Sequence, residues 1–332
     1  MFKTAEYVSP MHPDKMCDRI SDAILDLCLY HDKMSRVAVE TMGGHGKVYI
    51  CGEITCTHKV TKKEIKKIVK DISGIKNVEI NIVRQSPEIA QGVDVGGAGD
   101  QGIMVGYACN ENIELIPQEI YLARSICQYI YAENPNDGKT QITLNDKNEI
   151  DTIVVSWCGL DELEIDKLVC EWMDDTEINQ KGDIKKLYNP AGNWDIGGFD
   201  ADTGLTGRKI AVDNYGPRVP IGGGAFSGKD CTKVDRSGAY KARQIAVTEL
   251  KENKAKEVIV KIAYAIGYEY PLMVTAEIDG KEKDITNKYD CRPLSIIKDL
   301  ELRECCYNVL SERGHFSNNS IWDIPLPHPT KQ

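Results

Sequence analysis

Apolar positions recur with helical and strand periods along this chain, and one order of elements repeats three times. In the first round, Ile20, Ile24 and Cys28 share one face of a helix, and a hairpin with the turn Gly43–Gly46 follows it. The predicted elements are, for the first round, a helix over 14–30, strands over 36–41 and 47–55, a helix over 62–72 and a strand over 78–83; for the second, a helix over 117–132, strands over 140–146 and 149–157 and a helix over 161–174; and for the third, a helix over 235–250, strands over 257–267 and 271–278 and a helix over 293–304.

Hairpins set between helices at this spacing predict an α+β fold of three pseudo-repeated domains, each a mostly antiparallel sheet with helices on one face. The rounds share no visible sequence identity, so the repeat is one of pattern only. We place an N-terminal domain at residues 1–96, a central domain at 97–193, and a C-terminal domain, which carries a glycine-rich loop, at 194–332.

The composition is that of a folded protein and narrows the classes of partner. A chain of 332 residues is long enough for roughly two to three domains, and its 42% of hydrophobic and 28% of charged residues are ordinary for a globular protein. A net charge of −10 argues against nucleic acid or an anionic membrane as the main partner. The N-terminus lacks a signal-peptide hydrophobic region, and no apolar run of about 18 residues occurs, so we expect a cytoplasmic protein.

The 12 cysteines are scattered and form no Cys-x-x-Cys pair. Several of them, such as Cys17, Cys28 and Cys127, lie on predicted apolar faces. We therefore expect small buried side chains in a reducing compartment, and no zinc site, because the ligand spacings are wrong.

The segment Gly222–Asp230, with the sequence GGGAFSGKD, is the most informative part of the chain. Its glycines allow backbone N–H groups to turn toward a ligand, while Phe226 supplies an apolar wall and Lys229 a fixed cation, a combination that suits a polyphosphate. The P-loop pattern fits as far as Lys229 but fails at Asp230, where magnesium needs a hydroxyl, and no clear buried strand precedes the segment. The alternative is a flexible solvated surface.

Basic residues are concentrated around this loop. Between Arg208 and Arg243, eight basic residues stand against Asp213, Asp230 and Asp235, which gives a net charge of +5 within a chain of net charge −10. A basic island in an acidic protein indicates a local anionic ligand.

The motif His12-Pro-Asp-Lys15 opens a predicted helix in which Asp14, Asp18 and Asp22 share one face. This arrangement suits an anion contact from His12 and a metal ligand from Asp14. The alternative is a helix cap with a solvated acidic face.

Three more segments carry charges that suit a metal–polyphosphate ligand. Gly97-Ala-Gly-Asp-Gln-Gly102 offers a carboxylate in a tight turn, which suits Mg²⁺ or an Asx hydrogen bond equally. Two cations follow a glycine turn in Asp202-Thr-Gly-Leu-Thr-Gly-Arg-Lys209. From Lys229 to Ser237 cations alternate with carboxylates, and Lys229, Lys233 and Ser237 lie one turn apart if this stretch is helical.

In the order of these motifs, the chain resembles the S-adenosylmethionine synthetases, also called methionine adenosyltransferases, from its N-terminus to about residue 323. The motifs that carry the resemblance are His12-Pro-Asp-Lys15, Gly52-Glu-Ile54, Gln91-Gly-Val-Asp94, Gly97-Ala-Gly-Asp-Gln-Gly102, Gly204-Leu-Thr-Gly-Arg-Lys209, Gly222-Gly-Gly-Ala-Phe-Ser-Gly-Lys-Asp230 and Lys233-Val-Asp-Arg-Ser237. The last two are highly specific.

The resemblance implies ATP and L-methionine as substrates and a homodimer, or a tetramer of two such dimers, with active sites between subunits. It implies two Mg²⁺ ions per site, with Asp14 and Asp235 as their ligands, and K⁺ with Glu40 as its ligand. By position, the implied catalytic residues are His12, Lys139, Arg208, Lys209, Lys229 and Lys233. The implied ATP or phosphate contacts are His12, Lys139, Trp194, Asp202, Arg208, Lys209, Ala225 and Lys229, and the implied methionine contacts are Glu53, Gln91, Asp202 and Lys233.

Some positions depart from the family pattern. Pro10-Met11 replaces the usual Glu-Gly, Asn193 stands where an arginine is common, and Trp194 stands where a phenylalanine usually lies against adenine. The segment that gates the site is shorter than in the familiar enzymes, which predicts a less closed lid. Its implied residues are Gln91, Asp94, Gly97 and Asp100.

The implied reaction suits the charged residues. The methionine thioether is a neutral, soft nucleophile that needs no base; it attacks C5′ of ATP and expels the triphosphate, so preorganised cations should dominate catalysis. The resemblance adds hydrolysis of the triphosphate to pyrophosphate and phosphate before release. The alternatives are a P-loop kinase or NTPase and a catalytically silent ATP- or polyphosphate-binding subunit of a larger enzyme.

Overall fold

The computed structural model describes residues 2–85, 96–176, 178, 182–316 and 320–326 of the protein. The helices of this part are Pro13–His31 (α1), Lys62–Ser73 (α2), Gln118–Glu133 (α3), Glu162–Asp175 (α4), Ile210–Asp213 (α5), Val234–Asn253 (α6), Pro293–Asp299 (α7) and Tyr307–Arg313 (α8). The strands are Lys3–Val8 (β1), Arg36–Gly44 (β2), Lys47–Thr55 (β3), Val78–Val83 (β4), Gly102–Cys109 (β5), Gly138–Leu144 (β6), Ile150–Trp157 (β7), Lys185–Tyr188 (β8), Gly204–Leu205 (β9), Glu257–Tyr264 (β10), Met273–Ile278 (β11) and Lys281–Asp284 (β12).

The strands form three sheets of four strands each, in the orders β4-β3-β2-β9, β1-β6-β7-β8 and β12-β11-β10-β5. Neighbouring strands are antiparallel except for the pairs β3–β4 and β7–β8. The prediction of an α+β fold with three mostly antiparallel sheets is therefore confirmed.

Each sheet takes one strand from a distant part of the chain. β1 pairs with β6, β5 pairs with β10, and the short β9 pairs with β2 at Met42 and Gly43. These exchanges link the three sheets, and the last of them brings the loop around Leu205 to the edge of β2, where the candidate site lies.

All the helices and strands predicted from the pattern are present, with ends that differ by a few residues. The pattern did not predict β1, β5, β8, β9, β12, α5 or α8. β5 is buried along most of its length, because α6 covers it so closely that a Cβ on Gly106 would fall 2.0 Å from the carbonyl carbon of Ala242. A strand buried on both faces lacks the alternation that identifies strands in a sequence.

All 12 cysteines are free, and Cys17, Cys28 and Cys127 are buried as predicted. Across the described ranges, we find no helix with the length and apolar character needed to cross a membrane.

Candidate active site

The first charged cluster surrounds Asp14, in the first turn of α1. Lys209 Nζ lies 2.6 Å from its Oδ2, Arg208 Nε lies 3.3 Å from its Oδ1, and the backbone N–H of Leu205 donates to Oδ1 at 2.9 Å. Burial opposes ionisation of Asp14, but the hydrogen bonds from Lys209 and Leu205 outweigh it and lower the pKa of the carboxyl. Asp14 therefore stays ionised, as a metal ligand must be.

His12 caps α1 through its ring. Nδ1 accepts a hydrogen bond from the backbone N–H of Asp14 at 3.1 Å, so the proton of the neutral ring sits on Nε2. Burial, together with the positive charge of Lys209, lowers the pKa of His12 to about 4. At neutral pH, His12 is an uncharged side chain whose Nε2–H can donate to an anionic oxygen.

The second charged cluster lies at the N-terminus of α6. Lys229 Nζ lies 2.5 Å from Oδ2 of Asp235, and Lys233 Nζ lies 2.5 Å from Oδ2 of Asp230. Because α6 begins at Val234, Lys229 lies outside the helix, and the helical spacing considered for residues 229–237 does not extend to it. The glycine loop passes directly over Asp235, since a Cβ on Gly224 would fall 2.2 Å from the carboxyl carbon.

Asp230, the residue that breaks the P-loop pattern, fastens the glycine loop to β2. Its buried carboxylate accepts the backbone N–H groups of Val37 at 2.7 Å and Thr232 at 2.9 Å, in addition to the bond from Lys233. The loop thus lies along the edge of a sheet, whereas a P-loop connects a strand to a helix. Asp230 has a structural role that explains why no hydroxyl is needed there.

The acidic face of α1 is buried, so the alternative of a solvated face is wrong. Asp14, Asp18 and Asp22 are at most 2% exposed. Asp18 Oδ1 accepts the N–H of Gly207 at 2.8 Å, and Asp22 Oδ1 accepts that of Gly228 at 2.8 Å. Each of the three carboxylates therefore has a backbone donor from one of the two loops that carry the cations.

The loop that carries Arg208 and Lys209 and the glycine loop that carries Lys229 both pair with β2, but their charged side chains form separate groups. Leu205 pairs with Met42 of β2, and Lys229 pairs with Ala38. These positions are about 13 Å apart at the usual rise of a strand. Among the described residues, no ion pair joins a member of the Asp14 cluster to a member of the Asp235 cluster.

Two more of the predicted ATP contacts lie beside the first cluster. The charge of Lys139 lowers the pKa of His12 and that of Asp202 raises it, which places both side chains near the ring. Lys139 Nζ is also 3.1 Å from a carboxylate oxygen of Glu6, which lies on the adjacent strand β1. Lys139 and Asp202 are therefore close enough to contact the same ligand as His12.

Ala225 and Trp194 differ in their relation to this cluster. Ala225 lies against the other loop, since a Cβ on Gly207 would fall 2.5 Å from its own Cβ. Trp194 donates its indole N–H to the side-chain oxygen of Asn189 at 3.3 Å. Within the part of the chain that the structure describes, no hydrogen bond or ion pair connects Trp194 to His12 or to either cluster.

Glu40 and Glu53 lie on the sheet β4-β3-β2-β9. Glu40 points to the open face of β2, opposite Cys51, and Glu53 lies opposite Ala38. Neither glutamate forms an ion pair with another described residue. Met42 and Tyr49 share the open face and are 43% and 40% exposed. This face offers carboxylates and apolar side chains for contacts beyond the single chain.

Two of the predicted gating residues, Gln91 and Asp94, lie outside the described residues. Gly97 and Asp100 follow them, and the segment is fixed there at Ala98, whose N–H donates to Tyr268 O and whose carbonyl accepts from Gly267 N–H, both at 2.8 Å. Asp100 is exposed and accepts only a local hydrogen bond, from the N–H of Gln101, among the described contacts. The gating assignment stays a prediction.

The donor set of the two clusters fits Mg²⁺, because ionised carboxylates are hard oxygen ligands and the facing lysines can bind phosphate oxygens. A different group of possible ligands, His31, His58 and Glu64, lies at the other end of α1. His31 is 17 residues beyond Asp14, or about 25 Å along the helix. His58 there is already bonded to Glu64 at 3.1 Å, so this group is separate from the site.

Sequence reasoning did not assign two buried cations, Lys15 and Arg236, that complete the environment of the site. Lys15 is buried, with Nζ 2.6 Å from Asp213 and 3.4 Å from Asp18. Arg236 donates to both oxygens of Asp22 at 2.8 Å. The spacing of Asp14, Asp18 and Asp22 was the available signal, since carboxylates on a buried helix face require cations opposite them.

Two helix N-termini, each with a first-turn carboxylate paired to a loop lysine, give this α+β protein a charged site whose chemistry suits a metal–polyphosphate ligand. Models of the N-terminal, central and C-terminal domains of S-adenosylmethionine synthetase match residues 1–94, 95–194 and 196–324. The chain belongs to the S-adenosylmethionine synthetase family.

Similar proteins cover nearly the whole chain. The S-adenosylmethionine synthase of Treponema denticola is 39% identical, with 94% of this chain and 92% of that protein covered. That of Nocardia farcinica is 37% identical, with 98% and 95% covered. Among solved structures, an unusual S-adenosylmethionine synthetase from Campylobacter jejuni matches with a TM-score of 0.85 and 33% identity, covering 97% of this chain and 96% of that one.

Proposed function

We propose that this protein is a methionine adenosyltransferase, which makes S-adenosylmethionine from ATP and L-methionine and hydrolyses the expelled triphosphate to pyrophosphate and phosphate. The observation that carries the proposal is the pair of carboxylate–lysine clusters at the N-termini of α1 and α6. A helix N-terminus favours anions, and Lys209 and Lys229 add a cation beside each of the two N-termini.

The chain's own residues supply what the first step needs. The sulfur attacks C5′ and the triphosphate leaves with its charge, so stabilisation of that charge limits the rate. Lys209 and Lys229 supply fixed cations, and His12 adds a neutral Nε2–H donor. None of the three has to accept a proton, because the thioether carries none.

Mg²⁺ and K⁺ are proposed as cofactors, with two Mg²⁺ per site. When bound, Mg²⁺ would supply positive charge that neutralises the charge of the phosphates. Asp14 and Asp235 would hold it, and the lysines now paired with these carboxylates would turn to the phosphate oxygens. Glu40 would hold K⁺.

We further propose a homodimer whose active sites combine the Asp14 cluster of one chain with the Asp235 cluster of the other. The separation of the two clusters in one chain and the open face with Glu40, Met42 and Tyr49 support this arrangement. The predicted methionine contacts Glu53, Gln91, Asp202 and Lys233 would complete each site. A pairing of two dimers into a tetramer is compatible with it.

Mass spectrometry of the products from ATP, methionine, Mg²⁺ and K⁺ tests the function. We expect S-adenosylmethionine, pyrophosphate and phosphate in equal amounts, and no triphosphate or phosphate release without methionine. Phosphate release at the same rate with and without methionine would indicate an NTPase. ATP binding without any product would indicate a silent subunit. Lys229→Ala is the control that separates enzyme activity from contamination.

A further inference from the structure

The two loops that carry the proposed phosphate-binding cations are held to α1 by the same type of hydrogen bond, from a glycine N–H to an aspartate. Gly207 precedes Arg208, and Gly228 precedes Lys229. Both glycines have left-handed φ angles, +81° and +78°. Each donates its N–H to a buried aspartate of α1, Gly207 to Asp18 and Gly228 to Asp22.

Neither glycine tolerates a side chain at its position. A Cβ on Gly207 would meet Ala225 at 2.5 Å, and one on Gly228 would meet the carbonyl oxygen of Val39 at 1.9 Å. The left-handed φ adds strain for any other residue. The backbone immediately before each cation is therefore fixed on both sides, by close packing and by an aspartate.

We propose that Asp18 and Asp22 are positioning residues of the reaction, which aim the Arg208–Lys209 and Lys229 side chains by holding the N–H groups of Gly207 and Gly228. Neither aspartate was assigned a role from the sequence, and neither needs to touch a substrate. This inference rests on the proposed function.

The network around the two aspartates supports a fixed geometry. Lys15 bonds Asp18 at 3.4 Å and Asp213 at 2.6 Å, which ties α1 to α5, the short helix that follows Arg208 and Lys209. Arg236, one residue beyond Asp235, donates to both carboxylate oxygens of Asp22 and so ties α6 to α1. Charged hydrogen bonds in a dry interior are strong and directional.

Catalysis by fixed cations depends on their placement, because a misplacement of about 1 Å can cost on the order of a hundredfold in rate. A lost aspartate would leave its loop attached at other points, yet free to shift by such amounts. The expected signature is a loss of kcat larger than the change in KM, since the cations act mainly on the charge that develops on the leaving group.

The chain provides a matched control in the next carboxylate of the same helix. Asp26 also accepts backbone N–H groups, those of Tyr307 and Asn308, each at 2.9 Å. It holds the start of α8 instead of a cation loop. Its removal should cost stability in a similar way without moving a phosphate cation.

Steady-state kinetics and melting temperatures of Asp18→Ala, Asp18→Asn and Asp26→Ala test the proposal. We expect Asp18→Ala to lower kcat at least about tenfold with KM for methionine within about threefold. Asp18→Asn keeps an oxygen that accepts the Gly207 N–H, so most of kcat should return. Asp26→Ala should lower the melting temperature while kcat stays within about twofold of wild type. An unchanged kcat in Asp18→Ala, or an equal loss in Asp26→Ala, would overturn the proposal.

Hydrogen-exchange mass spectrometry keeps the test decisive if Asp18→Ala does not fold or if the wild type makes no product. In the wild type, the amides of Gly207 and Gly228 should exchange slowly, and Asp18→Asn, which keeps the acceptor oxygen, should leave exchange at both amides slow. Rapid exchange of both amides in the wild type would contradict the hydrogen bonds and the proposal. Absence of product with slow exchange would contradict the proposed function alone.

Discussion

The clusters at the N-termini of α1 and α6 use the same parts in different surroundings. Each helix, of 19 or 20 residues, has an aspartate in its first turn and pairs it with a lysine from a glycine-containing loop. Asp14 is only 1% exposed and binds Lys209, Arg208 and a backbone N–H, whereas Asp235 is 14% exposed and pairs with Lys229 alone among the described contacts.

The caps differ as well. His12 caps α1 with its ring, while Lys233 at the start of α6 makes no side-chain cap. The first cluster is therefore set in place before any ligand binds, and the second can change partners at lower cost. We infer that the Asp14 cluster defines where the polyphosphate lies and that the Asp235 cluster adapts to it.

Removal of divalent cations should have the largest effect. Excess chelator should abolish turnover, because Asp14 and Asp235 can approach a polyphosphate only through a hard cation. Asp14→Asn and Asp235→Asn should each raise the Mg²⁺ concentration needed for half-maximal rate. The measurement is turnover across an Mg²⁺ titration, and restored turnover on re-addition of Mg²⁺ is the control. Full turnover in chelator would refute both metal assignments.

Loss of one lysine should cost less than loss of the metal. We expect Lys209→Ala and Lys229→Ala each to lower kcat by roughly a hundredfold, about 3 kcal/mol of transition-state stabilisation. Lys233→Ala should lower stability as well, because it leaves the buried Asp230 carboxylate without its cation.

The matched control for the lysines is Lys288→Ala, since Lys288 pairs with Glu249 at 2.6 Å on the C-terminal part of α6. Its kcat should match that of the wild type. A kcat within about threefold of wild type in Lys229→Ala would show that the second cluster does not carry the reaction.

Acid should distinguish the histidine cap of the first cluster. The folded-state pKa of His12, about 4, lies below the ordinary value of 6.5, so the unfolded chain binds the proton first as pH falls. The contribution of His12 to stability is complete above about pH 6.5 and is lost as pH falls toward 4. His12→Asn keeps a capping side chain but does not titrate.

Chemical unfolding of wild type and His12→Asn between pH 7 and 4 measures this difference. The wild type should lose up to about 1.4 kcal/mol more per pH unit than the variant within that window. Parallel curves for the two proteins would mean that the pKa of His12 is not lowered on folding.

Potassium should have the smallest effect. We expect K⁺ to raise the rate of the wild type above that in Na⁺, and Glu40→Gln to remove the difference without changing the Mg²⁺ requirement. Glu40 lies on the open face of β2, outside both clusters, so its loss should leave them intact. An equal rate in Na⁺ and K⁺ for the wild type would refute the assignment.

Much of the fold could be predicted because its helices and hairpins show clear periods. α1, for example, buries Ile20, Ile24 and Cys28, the residues that the pattern placed on one face. β5 was missed because it is buried along most of its length and lacks alternation, and the pairings of β5 with β10 and of β1 with β6 join segments far apart in sequence, which no local pattern records.

The residue types of the site were predicted, but the hydrogen bonds that connect them were not. Glycine next to a cation identified both loops, yet no sequence pattern indicates that the N–H groups of Gly207 and Gly228 donate to α1. The polar spacing of Asp18 and Asp22 suits a solvated face as well as a buried one. Only the packing of the loops over α1 distinguishes the two.

Subunit mixing tests the central claim, that each active site combines one cluster from each of two chains. Lys209→Ala and Lys229→Ala chains, each expected to have about a hundredth of the wild-type kcat as a homodimer, are unfolded together, refolded at equal concentrations and assayed. If the clusters act across the interface, half of the dimers are hybrids and each hybrid has one intact site, so about a quarter of the wild-type activity should return. If both lysines serve a site within one chain, every site carries one substitution, and activity that stays at the level of the separate variants would contradict the account.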